Sequence, residues 1–388
     1  MSTLIFQGSP RHVASGLAIL ASSTFDVLVR RLRGRPLCKA WPVEFEIGTL
    51  FYRRQFERAL AYADIREGRA YFDAVTLAIR GRWPVRVEAV ARDAAAPGGH
   101  WFRPHAKCAP GGPVVLYLHG GGYAFYADVS HRFVAMLAFR LGLPVFALDY
   151  RLTPEHPHPA QLEDALAAYR RLLAEGVAPE RIVVAGDSAG GHLALMLIVA
   201  LRDAELPQPS LVVALSPWTD TGRRGASQFG HDVFDMVQGR QTVLYSSWLK
   251  GDTDATDREL SPIYRDFRGL APVYLQAGGK EILVDMVRDF AAELRRQGAS
   301  VHLDVWPHMT HEFHAYGDRL PDSDQALARI SAAIAWAHSR ESMPFSAIMQ
   351  SEVAAFHPRP AAVGSCSAMA LTRDNGRAPP QACLQQNA

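Results

Sequence analysis

Between residues 84 and 339 the chain alternates short β-branched apolar runs with longer stretches of helical period. That alternation restricts the fold to an α/β class, a mostly parallel sheet flanked by helices on both faces. The runs fall at residues 85–90, 100–103, 114–118, 145–149, 182–185, 211–216, 273–277 and 301–306, which predicts eight strands. Several, such as Val114-Val115-Leu116-Tyr117-Leu118, are apolar at every position, as strands buried on both faces should be. Helices are expected at 130–141, 159–174, 189–202, 282–297 and 324–339. In the second of these, Leu162, Ala165, Leu166, Tyr169, Leu172 and Leu173 keep the 3.6-residue period.

Two regions break the alternation. Residues 1–83 carry helical signal at 24–32 and 44–63 ahead of any expected strand, so they belong to a layer laid against the sheet. Residues 219–260 separate two core strands by far more chain than a βα connection needs, the position and length of a lid. The catalytic domain is therefore expected at 84–339. The last stretch, 340–388, has Pro344, Pro358, Pro360, Pro379 and Pro380 among Ser, Ala, Asn and Gln and reads as disordered.

Composition removes several classes of function. Lys+Arg at 41 against Asp+Glu at 39 leaves a net charge of +2, too small to drive nucleic-acid binding. The four cysteines, Cys38, Cys108, Cys366 and Cys383, form no pair with metal-ligand or disulfide-framework spacing, which fits a reducing compartment and no metal. The most apolar stretch, 13–28, is interrupted by Ser15, Ser22, Ser23, Thr24 and Asp26, and no run reaches the roughly 18 residues of a membrane span. A cytoplasmic protein without stable membrane insertion and without a large exposed apolar lid helix is the expectation; oligomeric state is not readable.

The chemistry concentrates at Gly186-Asp187-Ser188-Ala189-Gly190-Gly191, between an expected strand and an expected helix. A G-x-S-x-G sequence there suits a tight strand-to-helix turn that lifts the Ser188 hydroxyl above the sheet edge, although a glycine-rich βα loop without catalytic meaning has the same local pattern. His119-Gly120-Gly121-Gly122-Tyr123, directly after a buried strand, exposes peptide N–H groups that no side chain shields. With Ala189, Gly121 and Gly122 would supply three donors to an oxyanion. A phosphate cradle is the other use of such a run, but the Lys-Ser/Thr partner of that motif is missing. His119 is expected to brace its loop.

A serine needs a base, and the chain order nucleophile, acid, histidine places it beyond the last strand, among His308, His311 and His314. His311 is the choice; His308 and His314 are expected as surface histidines. The acid should follow the strand at 273–277. Glu281 is the first carboxylate there, while Asp285, one helical turn on, caps, braces the histidine loop or is itself the acid. Tyr123, Phe125, Tyr126, Trp218, Phe229 and Phe234 are candidate pocket walls that serve equally well as packing.

These motifs, together with Asp149-Tyr150-Arg151-Leu152-Thr153-Pro154-Glu155-His156 and Ser216-Pro217-Trp218, resemble the bacterial hormone-sensitive-lipase family of α/β-hydrolases over residues 84–339. The resemblance implies an eight-stranded α/β-hydrolase fold and cofactor-free hydrolysis of a small carboxylic ester. It also implies an oxyanion hole from Gly121, Gly122 and Ala189, and a helical cap built from the N-terminal region plus the 219–260 insertion. Two departures stand out: Glu281 occupies the place of the family's usual aspartate, and His308 that of a glycine in the base loop. A lactone, N-acetyl or amide hydrolase would use the same triad, and a non-catalytic small-molecule receptor could share the scaffold. Short to medium acyl esters are the expected substrates, because a capped pocket encloses limited volume.

Overall fold

In the computed structural model, which describes residues 4–77, 83–105, 111–126 and 128–339, the chain opens with β1 (Leu4–Phe6), α1 (Pro10–Leu32), α2 (Val43–Ala59), α3 (Ile65–Phe72) and β2 (Val75–Leu77). The main sheet follows: β3 (Val85–Val90), β4 (Gly99–Pro104), β5 (Val114–Leu118), β6 (Val145–Leu148), β7 (Ile182–Asp187), β8 (Leu211–Leu215), β9 (Val273–Gly278) and β10 (Val301–Trp306). Their order across the sheet is β10-β9-β8-β7-β5-β6-β4-β3. All neighbours from β10 to β6 are parallel, and β4 and β3 add an antiparallel edge. The expected strands are all present.

The pleat explains how continuous apolar runs are used. In β5, Leu116 and Leu118 enter the core shared with α5 (Ala160–Ala174), α6 (Ala189–Asp203) and α10 (Val284–Gln297), whereas Val115 and Tyr117 face the core shared with α4 (Asp128–Leu141) and α11 (Pro321–His338). The chain runs from β5 outward to β6 and then returns past β5 to β7. At such a reversal the loops leaving the two neighbouring strands part and open a crevice at their carboxyl ends. The loops leaving β5 and β7 carry His119-Gly120-Gly121-Gly122 and Ser188, which fixes where chemistry can occur.

The insertion holds α7 (Ser227–Gly230), α8 (Gly239–Lys250) and α9 (Asp257–Leu260). The N-terminal region differs from expectation in two ways. It is not purely helical, because β1 and β2 pair antiparallel with Leu4 opposite Leu77; three-residue strands are too short to show a period. Its first helix also begins at Pro10 rather than near residue 24, since Ser9 caps it by accepting from the His12 N–H at 3.2 Å. The serines and threonine that look like interruptions bond back into the helix, Ser22 Oγ to the Ile19 carbonyl at 3.0 Å and Thr24 Oγ1 to that of Leu20 at 2.8 Å. The resulting 23-residue α1 is long and apolar enough to meet the length and composition of a membrane span, and much of it is exposed. The expected absence of an exposed apolar helix is thereby corrected. The stretch 340–388, expected to be disordered, lies outside the described residues, as do Cys108, Cys366 and Cys383.

Candidate active site

Ser188 stands between β7 and α6 with φ 53° and ψ −118°, a conformation that side chains other than glycine's rarely adopt. Its backbone is tied on both sides. The N–H donates to the Leu215 carbonyl at 2.8 Å, and the carbonyl accepts from His192 N at 3.0 Å and Trp218 N at 3.2 Å. The turn lies so close to β5 that a Cβ on Gly190 would strike the backbone carbonyls of Leu118 and His119, which is why only glycine fits. Ser188 itself is half-buried amid buried neighbours, so its hydroxyl stays accessible.

Gly121 and Gly122 share the pocket with Ser188, both at positive φ (93° and 62°). A Cβ on Gly122 would come within 2.6 Å of the Tyr245 ring of α8, so the insertion presses on this loop. Their N–H groups and that of Ala189, the first residue of α6, meet no protein acceptor among the described residues. They are free to bind an oxyanion at the positive end of a helix. Tyr123 fixes the loop from beneath, its hydroxyl 2.6 Å from His192 Nδ1, while His192 Nε2 lies 2.7 Å from the Leu260 carbonyl. His119 braces the loop as expected: it stacks on Tyr150 at 4.1 Å, and burial lowers its pKa to about 4.

His311 lines the Ser188 pocket and is buried, which pushes its pKa down to about 3. Its Nε2 lies 3.5 Å from Glu312 Oε1, and its Nδ1 makes no hydrogen bond. Glu281 is fully buried; its Oε2 accepts from Ser216 Oγ at 2.7 Å and Gly278 N at 2.8 Å, and its Oε1 has no partner. Burial first, then the Asp235 charge, raises its pKa to about 8. The unpartnered atoms on the two groups, an imidazole nitrogen and a carboxyl oxygen, are complementary. Their loops touch, since Lys280 N donates to the Met309 carbonyl at 2.9 Å and Gly279 N to that of Trp306 at 2.7 Å.

Asp285 points elsewhere. Its Oδ2 accepts from Ser227 N at 2.9 Å while its own N–H donates to Ser227 Oγ at 3.2 Å, so it pins α7 to the start of α10. His308 is exposed, as expected. His314 is not a surface residue: it is buried against Phe313 at 4.1 Å, in a 3₁₀ segment that folds inward. Among the candidate walls only Trp218 reaches the Ser188 pocket. Tyr123 and Phe125 are core, Tyr126 and Phe229 are exposed, and Phe234 lies under the Lys280 ammonium at 4.2 Å.

Three carboxyl groups given no role by the sequence complete the site. Asp235, fully buried in the insertion, accepts from His311 N at 3.1 Å and Met236 N at 2.7 Å through Oδ1, and from Ile282 N at 2.7 Å through Oδ2. One side chain thus joins the insertion to both the acid and base loops; burial raises its pKa to about 7. Asp187 accepts from Tyr117 and from Gly120 N at 3.1 Å and meets Glu312 side chain to side chain. Burial raises both; the neighbouring Asp187 raises Glu312 further, whereas the hydrogen bonds from Glu312, Tyr117 and Gly120 pull Asp187 back, so the pair holds one proton between them.

Space over Ser188 is only about 20 Å³, room for a water molecule. Beyond Phe56 and Glu312, which line both spaces, lies a cavity of about 370 Å³ walled by α2, α1 and the segment after His311, including Phe45, Phe51, Tyr52 and Tyr316. A larger open groove of about 890 Å³ lies along α10, away from Ser188. Its Arg224, Arg268 and Arg296 are paired with Asp220, Asp266 and Glu293, and it contains none of the candidate catalytic groups.

A family profile described as the alpha/beta hydrolase fold matches residues 115–315. Over 230 residues the chain is 39% identical to an acetyl-hydrolase of Streptomyces hygroscopicus, covering 58% of this chain and 76% of that one. It is 32% identical over 232 residues to an ethyl acetate hydrolase of Pseudomonas putida, covering 58% and 73%. A crystal structure of an esterase from the bacterial hormone-sensitive lipase family superposes with a TM-score of 0.61 at 28% identity, over 84% of this chain and 98% of that one.

Proposed function

The chain belongs to the bacterial hormone-sensitive-lipase family of α/β-hydrolases and hydrolyses carboxylic esters, and from that premise we propose that Ser188, His311 and Glu281 carry out the reaction. Ser188 Oγ attacks the acyl carbon as His311 Nε2 takes its proton. Glu281, once ionised and with its unpartnered Oε1 brought onto Nδ1, holds His311 in the tautomer with Nδ1 protonated and stabilises the imidazolium that forms. Negative charge developing on the carbonyl oxygen is met by the N–H groups of Gly121, Gly122 and Ala189. His311 returns the proton to the departing alkoxide, and a water molecule then repeats the sequence on the acyl-enzyme.

The observation that carries this reading is the convergence in one pocket of a strained, accessible serine, peptide N–H groups without acceptors and a neutral buried imidazole. Helices α1–α3 and the insertion act together as a cap, since Phe56 of α2 and Tyr245 of α8 close the same pocket. Short to medium acyl esters fit best, in keeping with the acetyl-hydrolase and ethyl acetate hydrolase relatives and with a cavity of about 370 Å³. A p-nitrophenyl ester series from acetate to palmitate should show kcat/KM falling steeply at long chains. Faster turnover of emulsified triolein than of a butyrate ester would overturn the assignment.

A further inference from the structure

Helix α1 is apolar on two sides. Its inner side is committed to the fold: Val27 and Ser23 are fully buried, a Cβ on Gly16 would come within 2.6 Å of Val75, and Asp26 pairs with Arg54 of α2. Its outer side repeats apolar residues at intervals of three and four, through Ala14, Leu17, Ala21, Phe25, Leu28 and Leu32, all exposed. Phe25 is 67% and Leu32 86% accessible to solvent. The stripe runs over 19 residues, 18 steps of 1.5 Å or about 27 Å from first to last. No soluble surface needs a stripe of that length, and leaving it in water is costly.

Charge indicates what covers it. Arg33, Arg35 and Lys39 follow the stripe at its carboxyl end, Arg30 lies in its last turn, and none of the four forms an ion pair among the described residues; Arg11 stands exposed at the other end. The one acidic residue of α1, Asp26, is neutralised by Arg54. A second copy packing stripe to stripe about a two-fold axis would bring one helix's basic end to the partner's Arg11, with no carboxylate on α1 to compensate. A surface that is apolar inside and anionic at its boundary complements both features.

We propose that α1 is an interfacial helix that docks the folded enzyme on an anionic phospholipid bilayer, lying in the headgroup plane with its outer stripe sunk toward the acyl chains. It does not span the bilayer, because that would strip away the contacts of Gly16, Ser23 and Val27 with the body. Leu20 of the same helix lines the cavity of about 370 Å³, so docking places that cavity beside the lipid. The docking does not depend on the esterase reading, and its test is separate from any assay of hydrolysis.

The full chain should float with vesicles of phosphatidylcholine containing about 30 mol % phosphatidylglycerol, far less with phosphatidylcholine alone, and less as salt is raised. The combined variant Phe25→Gln/Leu28→Gln/Leu32→Gln should lose about a hundredfold in partitioning. Arg33→Gln/Arg35→Gln should lose about 25-fold, near fivefold per arginine. Both should keep the wild-type far-UV circular dichroism and Tm, which shows that they are folded. Equal flotation of wild type and stripe variant, or equal binding to neutral vesicles, would overturn the proposal. So would a wild-type dimer in sedimentation equilibrium that the stripe variant converts to monomer, which would assign the face to a second copy.

Discussion

The Ser188 half and the His311 half of the proposed site are built from different materials. Around Ser188 the work is done by backbone: strand carbonyls, the first N–H groups of a helix and glycines packed too tightly for a side chain. Around His311 it is done by side-chain carboxyls: Asp235 and Glu281 fully buried, Glu312 half-buried beside the imidazole, and Asp187 paired with Glu312. The first half is tied by strand and helix hydrogen bonds and leaves open only the N–H groups of Gly121, Gly122 and Ala189. The second leaves His311 Nδ1 and Glu281 Oε1 unpartnered and distributes protons among carboxyls that burial keeps from ionising. Backbone construction should fail all at once, while side-chain construction should degrade in steps and respond to pH.

The largest effect should come from the backbone half. Gly190→Val places two methyl groups against the Leu118 and His119 carbonyls, and overpacking of this kind costs about 1–3 kcal/mol or more, so soluble folded protein should be lost. A Gly190→Val enzyme that purifies with normal activity would show that the elbow is more compliant than its contacts imply.

In the side-chain half, Asp235→Asn replaces one oxygen that receives backbone N–H groups with an amide that cannot accept them, and loosens the His311 loop. A misplacement of about 1 Å in a catalytic group typically lowers kcat about 10²-fold. KM for a small ester should change little, and Asp235→Glu should restore less than a tenth of the loss. Wild-type kcat in Asp235→Asn would remove this residue from the positioning network.

Glu312→Gln is a smaller perturbation. It keeps the shape and leaves Asp187 hydrogen-bonded while ending the shared proton, and kcat should fall within about tenfold. Its informative readout is the pH profile, where any step from the Asp187–Glu312 pair should vanish; a profile identical to wild type would show that the pair does not couple to the base.

The smallest effects are those of pH on the unmodified enzyme. Asp235, at about 7, and Glu281, at about 8, retain in the folded chain protons that the unfolded chain releases near its ordinary carboxyl range. The folded state therefore binds more protons from about pH 4 up to about pH 8, and stability contributed by these groups falls as pH rises through that window. Tm should drop by a few degrees between about pH 6 and pH 8.5. A rise over that interval would mean that the carboxyls are ionised. Because burial holds His311 near 3, the acid limb of kcat/KM should lie below about 6.5, the ordinary value of a histidine. An acid limb at or above that value would show ionised Glu281 outweighing burial.

The same division decides what the sequence reveals. Backbone machinery needs glycine at fixed local spacing, so Ser188, Gly121, Gly122 and Ala189 are visible in two short motifs, and the sheet is visible as runs that are apolar on both faces. Glu281 and His311 are reachable because they follow strands in a fixed order. Asp235 is invisible: it binds backbone N–H groups 47 and 76 residues further along the chain, and backbone N–H groups leave no mark in a sequence. Glu312 is hidden beside the residue it serves. Helix α1 is longer than its apolar pattern implies, because serine and threonine interrupt that pattern although inside a helix their hydroxyls bond back to carbonyls a turn earlier.

The joining of the two halves is tested most directly by the rate at which a fluorophosphonate acylation mimic phosphonylates Ser188, with the adduct located by mass spectrometry and the rate compared across Glu281→Gln and Asp285→Asn. At about pH 9, where Glu281 has passed its raised pKa of about 8 and is ionised, Glu281→Gln should slow labelling by as much as about 10⁴-fold, since it removes the charge that stabilises imidazolium. Asp285→Asn should stay within about tenfold in rate and lose about 1 kcal/mol of stability from the α7 contact. Rapid labelling of Glu281→Gln together with loss of labelling in Asp285→Asn would contradict the triad, and an adduct on any residue other than Ser188 would contradict the site itself.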